Sequence, residues 1–380
     1  MITSKVKGVD FISVNTDAQD LPHSMAEKKI HIGKSLIRGL GTGMNPELGK
    51  RAVEETKEEI QESIKGADMV FIACGMGGGT GTGAAPVIAK TAKENGILTV
   101  AVVTKPFFFE GVQRMRLAEQ GIEELKNVVD AIIIIPNDRL LQTIEKGTTA
   151  KNAFAICDNI LKEAVEGISD LITTPGIINI DFADIRSVME NAGAALMGIG
   201  SASGDNRAEE AARLAISSSL LEISINGAKG VLFSIAGGDD VTMFEIQDAA
   251  KIITESVDPN AKIIFGTVKD DKLKKGELKI TVIASSFPEN MQRKATSLFQ
   301  SSAPGNAPLG SPVRAMPEED IKSRVFSAIN SNPLRQDKPH MEEKKVEATP
   351  TPEPAPAKPA QDEEDDWGAV PAFLRRSKLK

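Results

Sequence analysis

A chain of 380 residues is too long for one compact core, because single cores stop growing near ~250–300 residues; two folded domains and an extra segment are expected. Hydrophobic residues make up 41%, but with one Trp and no Tyr the cores must rest on Ile, Val, Leu and Ala. A net charge of −8 and a pI near 5.3 argue against a general nucleic-acid binder, and no apolar run reaches the ~18 residues of a membrane span.

The first ten residues lack the apolar stretch of a signal peptide. Cys74 and Cys157 lie inside apolar segments and cannot form a disulfide framework, which fits a reducing cytoplasm. From residue 9 onward strands and helices alternate. A strand is expected over 9–15. Asn45-Pro46-Glu47 offers an N-cap, a proline at the first helical position and an acid in the first turn, opening a helix to about residue 64. Strands over 68–74, 97–103 and 131–136 then alternate with helices over 84–95 and 110–126. This order predicts an α/β fold with a parallel sheet covered on both faces. A long helix is expected over 151–173, where Phe154, Ile156, Ile160, Leu161, Val165 and Ile168 recur at roughly helical spacing. A second α/β set follows, with helices over 182–191, 207–221 and 243–257 and strands over 195–200, 230–236, 262–267 and 277–285. No internal repeat is present.

Composition changes at Pro288. Eleven of the 20 prolines fall between Pro304 and Pro359, among few large apolar residues. Such a segment cannot bury enough surface to offset its ordering entropy, so 288–361 is read as a disordered linker. An acidic run, 362–366, precedes Trp367-Gly-Ala-Val-Pro-Ala-Phe-Leu-Arg-Arg376. A short apolar and basic tip on a tether reads as a docking peptide or as a frayed tail.

The strongest local signal is Gly75-Met-Gly-Gly-Gly-Thr-Gly-Thr-Gly83, which follows a strand and opens a helix. Glycines let backbone approach an anion, a helix N-terminus offers free N–H groups, and Thr80 and Thr82 add hydroxyls. This is a phosphate cradle. It lacks the Gly-Lys-Ser/Thr of a P-loop. A dinucleotide fingerprint matches loosely as Gly79-x-Gly81-x-x-Ala84, but the next strand ends in Thr104-Lys105-Pro106 without the ribose-binding acid, leaving a nicotinamide-dependent oxidoreductase as the runner-up.

The run Gly77-Gly-Gly-Thr-Gly-Thr-Gly83 resembles the signature of the tubulin/FtsZ superfamily of GTPases. Further segments agree in order: Asn15-Thr-Asp-Ala-Gln19, Gly39-Leu-Gly-Thr-Gly-Met-Asn-Pro46, Val103-Thr-Lys-Pro-Phe107, Glu110-Gly-Val-Gln-Arg114, Ile135-Pro-Asn-Asp-Arg-Leu140 and Phe154-Ala-Ile-Cys-Asp158. The resemblance runs from residue 9 to about 286 and returns in the terminal peptide. It implies a Rossmann-like GTP-binding domain (1–150), a central connecting helix (151–174), a smaller α/β domain (175–287), the linker (288–361) and a terminal peptide (362–380). The nucleotide site it implies comprises Asp17, Gly41, Thr42, Gly43, Gly77, Gly78, Gly79, Thr80, Gly81, Pro106, Glu110, Arg114, Asn137, Phe154 and Asp158. Asp158 would accept from guanine and Phe154 would stack on it; without the family, Phe154 reads as core and Glu110 with Arg114 as a surface helix pair. The ligands implied are GTP and GDP, with Mg2+ held mainly by phosphates and water rather than a protein metal cluster.

In Gly176-Ile-Ile-Asn-Ile-Asp-Phe-Ala-Asp184 the two carboxylates lie three apart at a helix start, and the local reading is Asp181 as N-cap. The family resemblance makes this the loop that enters the next subunit's site, with Asn179, Asp181 and Asp184 positioning the attacking water. It implies a head-to-tail filament in the cytoplasm, at the division site on the inner face of the membrane. Through Val370, Pro371, Phe373, Leu374, Arg375 and Arg376 the tail would bind membrane-tethering and regulatory division proteins, without inserting directly into the membrane. The family opens with a strand, a first glycine loop and a helix, of which Met1–Gly8 resembles only the second half of the helix. About 20–30 residues are therefore expected upstream, or this form is impaired. Without that central strand, one wall of the phosphate site is lost and the neighbouring strands are exposed.

Overall fold

A computed structural model describes residues 2, 6, 8–143, 147–218, 224–270 and 272–288; almost all of the expected linker and the whole terminal peptide lie outside them. Strands β1 (Ile12–Asn15) and β2 (Lys28–His31) pair in parallel as a separate ribbon. The main sheet has seven strands: β3 (Met69–Gly75), β4 (Leu98–Lys105), β5 (Ala131–Pro136), β6 (Gly193–Ser203), β7 (Gly230–Gly237), β8 (Lys262–Lys269) and β9 (Glu277–Ser285). Their spatial order is β3-β4-β5-β6-β9-β7-β8. Strands β3 to β6 run parallel, β9 is antiparallel to both its neighbours, and β7 and β8 are parallel to each other.

The two halves share this sheet through β6. Its first residues, 193–195, pair with β5, and the rest, 196–203, pair with β9. Strand β4 is buried along almost its whole length, as a parallel strand covered on both faces requires. One cover is α4 (Thr80–Glu94) with α5 (Val112–Lys126), packed on Ala101, Val103 and Ile132. The other is α7 (Ala150–Thr173), whose Val165 and Ile168 share a core with Val100 and Ile133 of the first half and Leu232 and Ile283 of the second. At Gly167 the helix comes so close to β9 that an added Cβ would sit 3.0 Å from the Thr281 methyl. Helices α9 (Arg207–Ile216) and α10 (Met243–Glu255) cover the far side of the second half.

Several boundaries differ from the sequence expectation, each for a local reason. The helix expected over 45–64 is two, α2 (Pro46–Glu55) and α3 (Lys57–Ser63), after α1 (Lys34–Ile37). Asn45 caps it as expected, accepting from the amides of Glu47 and Leu48. The break falls at Thr56, whose hydroxyl competes for the carbonyls of Ala52 and Val53. Helix α4 begins four residues before the expected Ala84; the glycines that made this stretch read as loop are there for close approach, since a Cβ on Gly83 would meet the Pro46 carbonyl at 1.9 Å and one on Gly81 the Gly75 carbonyl at 2.8 Å. The ribbon strand β2 and the short α6 (Asn137–Thr143) carry no periodicity long enough to read.

Strands β1 and β3 do not pair. Their C-terminal ends converge on Thr80: the Thr16 hydroxyl, just past β1, lies 2.6 Å from that of Thr80, and β3 leads directly into the loop before it. At the other end Ile12 and Val70 share a small core with Ile64 and Ile97. The two strands therefore run the same way, on either side of a cavity of about 960 Å3 lined also by Ala84 and Ile88 of α4 and Val165 of α7. Ala73 of β3 is exposed on this side. Among the described residues no helix is long and apolar enough to cross a membrane.

Candidate nucleotide site

Apart from the acidic loop, the residues singled out in the sequence gather where the loops leave the carboxyl ends of β1, β3, β4 and β5. In open parallel sheets this is where ligands bind. Three loops are stitched together there. Asp17, after β1, bridges to Leu40, and the Ala18 amide donates to the Gly39 carbonyl at 3.3 Å. Asp17 also accepts from the Gln19 amide at 2.8 Å, which turns its own loop back. The 38–44 segment takes positive φ at Arg38, Gly39, Gly41, Gly43 and Met44, so Gly41 and Gly43 flank Thr42 in a backbone that favours glycine.

The third loop, 75–80, is closed by tight contacts. The Gly77 amide donates to Thr82 Oγ1 at 2.8 Å, so the buried Thr82 hydroxyl shapes the turn from inside rather than facing the cradle. A Cβ on Gly79 would fall 2.2 Å from Thr42 Oγ1 and 2.7 Å from the Asn45 amide nitrogen; one on Gly77 would strike the Arg114 carbonyl at 2.7 Å. Gly78 has open space around it. The loop ends on α4, fifteen residues long, whose N-terminal amides and dipole favour an anion.

The next two loops, with the start of α7, build an aromatic and polar platform. Pro106 is buried at the end of β4 and Phe107 is 1% exposed, stacking on Phe109 with ring centroids 5.0 Å apart. Glu110 holds this loop with one carboxylate oxygen, accepting from the Phe107 amide at 2.8 Å, and pairs with Arg114 Nε at 3.2 Å through the other. Asp138, which the sequence reading missed, accepts from the Phe108 amide at 2.9 Å. Its only sequence signal was its place beside Asn137 at a strand end. On α7, Phe154 meets Phe107 edge-on at 5.2 Å while remaining 48% exposed, and Asp158 is exposed one turn later on the same face.

Two observations test whether these residues fit a guanine nucleotide. Asn137 is 7% exposed, yet its Oδ1 is buried with no hydrogen-bond partner, an acceptor free for a ligand's donor. The glycine loop leaves open space at Gly78, while Gly79 lets it pack directly on the Thr42 loop. Both fit a ligand with N–H or O–H donors at one end and phosphates at the other. Burial pushes the Cys74 thiol up to about 12 and, with the charge of Asp158, that of Cys157 to about 11, so neither is a nucleophile.

The acidic loop lies elsewhere. It follows the C-terminus of α7 and is pinned to the edge of β8 by Ile178, whose amide donates to Thr267 Oγ1 at 2.9 Å and whose carbonyl accepts from the Thr267 amide at 3.0 Å. Asn179 Oδ1 accepts from the Gly176 amide at 2.8 Å. Asp181 is the N-cap of α8 (Phe182–Met189), accepting from the Ala183 amide, and Asp184 follows in its first turn; both are exposed. A rise of 1.5 Å per residue puts Thr173 about 22 Å along α7 from Asp158. The structure thus joins the nucleotide-loop residues into one site and leaves Asn179, Asp181 and Asp184 apart from it.

The fold and the loop chemistry define an α/β nucleotide-binding protein that holds phosphate without a P-loop lysine. Residues 2–145 match the tubulin/FtsZ family GTPase domain and residues 193–288 the FtsZ family C-terminal domain. An FtsZ dimer from M. jannaschii is 44% identical, with a TM-score of 0.72 over 75% of this chain and 82% of that one. The chain belongs to the FtsZ family, within the tubulin-like GTPases. CetZ1 and CetZ2 from Haloferax volcanii, the first as a GDP-bound monomer and the second as a GTPγS-bound protofilament, share the fold. They are 23% and 22% identical, with TM-scores of 0.64 and 0.62, over 77% and 80% of this chain and 90% and 93% of theirs. Family membership decides for the GTPase and against the nicotinamide oxidoreductase.

Proposed function

We propose that this chain polymerises head to tail into filaments of the bacterial division ring and that its GTP is hydrolysed between subunits. The carrying observation is the length of α7, which separates the base-binding face from the acidic pair by more than a side chain can bridge. The glycine cradle has no lysine and no base of its own. A neighbour stacked along the filament brings its Asn179, Asp181 and Asp184 to the terminal phosphate, where the carboxylates orient and polarise the attacking water. The exposure of both carboxylates at the start of α8, on a loop pinned to a sheet edge, supports this. So do the relatives solved as a dimer and as a protofilament.

In this reading Asp158 accepts from guanine, Phe154 stacks on it, and Asn137 Oδ1 takes a donor from base or ribose. Glu110 and Arg114 meet the sugar beside Pro106. Gly77, Gly78, Gly79, Thr80 and Gly81 hold phosphate with Gly41, Thr42 and Gly43, and Asp17 closes the rim. Mg2+, carried by phosphates and water, would supply neutralisation of the phosphate charge. The filament works in the cytoplasm, on the inner face of the membrane, tethered through the terminal peptide.

The test is complementation. Asp181→Ala and Asp184→Ala keep nucleotide binding and lose turnover, while Gly79→Ser/Gly81→Ser loses binding. Mixing one of each regains turnover if a site is shared between subunits. Mixed filaments that hydrolyse no faster than either parent overturn the shared site.

The cavity between β1 and β3 supports a second reading, a non-hydrolysing structural filament that binds GTP poorly. A parallel strand there would pair with both edges and wall the phosphate loop. Sedimentation with GTP and with GDP separates the two readings, using this chain and one extended upstream by an apolar strand and a glycine loop. Equal GTP-driven pelleting of both chains removes the second reading.

A further inference from the structure

Three hydroxyls from three different loops converge at the start of α4. Thr16 Oγ1 lies 2.6 Å from Thr80 Oγ1, and Thr42 Oγ1 lies 3.3 Å from the same atom. Thr16 is fully buried and Thr42 is 7% exposed, whereas Thr80 is only partly buried, at the lip of the glycine cradle. Among the described residues the Thr16 and Thr42 hydroxyls have hydrogen-bond partners in Thr80 alone.

A hydroxyl carries one proton and two acceptor lone pairs. When Thr16 and Thr42 both donate to Thr80, its lone pairs are filled and its proton has to go elsewhere. Thr80 opens α4 at the end of the glycine loop and also lines the cavity between β1 and β3; a phosphate held by that loop would offer the oxygen that accepts the proton. Donation into Thr80 also polarises its O–H bond, strengthening what it gives outward. The arrangement is asymmetric: two buried hydroxyls face one that is partly exposed, so the chain of protons has one outlet. It also reads the loops together, because Thr16 moves with β1, Thr42 with the strained 38–44 turn and Thr80 with α4.

We propose that Thr16 is a positioning residue for phosphate, acting through Thr80 with Thr42 to aim the Thr80 hydroxyl at the nucleotide. This rests on the guanine-nucleotide reading above and adds to it a buried residue that touches no ligand.

The experiment is calorimetric titration of the full chain with GDP and with guanosine. The variants are Thr16→Val, which keeps shape and removes the hydroxyl, Thr16→Ser, which restores it, Thr80→Val and the double valine variant. Thr16→Val is expected to weaken GDP binding about tenfold, the worth of about one net hydrogen bond, and to leave guanosine binding unchanged. Thr16→Ser should lie within about threefold of the parent for GDP. In the Thr80→Val background, Thr16→Val should cost nothing further, since the path runs through Thr80. GDP affinity unchanged in Thr16→Val overturns the proposal. Equal losses for GDP and guanosine reduce Thr16 to a structural role and overturn it too, as does a loss that adds to that of Thr80→Val. A parent chain that binds no GDP instead overturns the guanine-nucleotide reading beneath it.

Discussion

Gly78 and Gly79 are adjacent and neither has a positive φ, yet their surroundings differ completely. A methyl at Gly78 enters open space, while one at Gly79 collides with Thr42 Oγ1 and the Asn45 amide, both part of the neighbouring loop. Gly78→Ala should therefore bind GDP within about twofold of the parent and Gly79→Ala should lose at least about tenfold, because the two loops must part by ångströms. Titration of both proteins checks this, and equal affinities would mean that the cradle closes differently on its ligand. At the base end, Asp158→Asn replaces one acceptor by a donor. The expected loss of GTP affinity is about 1–3 kcal/mol, the cost of an unpaired polar contact. Affinity equal to the parent's would take Asp158 out of the base contact.

At the scale of elements, the second half depends on a charged clamp between α9 and α10. Arg207 is 5% exposed; its Nε donates to Glu245 at 2.6 Å and its Nη1 to Asp240 at 2.7 Å. Glu245 also closes a capping box with Thr242 at the start of α10. Arg207→Ala leaves Glu245 half satisfied and should cost about 2–3 kcal/mol in denaturant unfolding. The hydrogen bond from Arg207 holds the carboxyls of Glu245 and Asp240 below the usual range. Their contribution is therefore complete above the ordinary carboxylate pKa of about 4 and fades as pH falls through the lower folded values. The gap between parent and Arg207→Ala should shrink below about pH 4. A gap that widens on acidification would assign the clamp's stability to something other than these charges.

For the whole molecule, the decisive feature is the shared sheet with α7 laid across both of its halves. It sets Asp158 and the loop that carries Asp181 and Asp184 toward opposite ends of α7, so that in the proposed reading a filament rather than a monomer completes the chemistry. In the proposed reading the terminal peptide serves only as a tether. Removing residues 367–380 should leave GTP-driven pelleting and turnover within about 20% of the full chain, an allowance for assay scatter, and release filaments from membranes carrying the tethering partner. Loss of polymerisation in this deletion would place the tail in the catalytic assembly instead.

The sequence by itself determined the family, the phosphate cradle and nearly every buried strand, because these rest on local chemistry: glycine where backbone must approach, continuous apolar runs where both faces are covered. It also carried the Asn45 cap and the first residue of α8, which depend on neighbours in the chain. It did not determine where α4 begins: glycines read as loop, and the contacts that leave no room for a Cβ at Gly81 and Gly83, with the carbonyls of Gly75 and Pro46, are visible only in the fold. Nor did it determine the role of Thr82, the part of Asp138 or the meeting of Thr16, Thr42 and Thr80. Those contacts join residues between 5 and 64 positions apart in the chain. Only the tertiary structure decided that β6 serves both halves and that β1 and β3 run the same way across an open cavity, because strand pairing between distant segments leaves no periodicity in either of them.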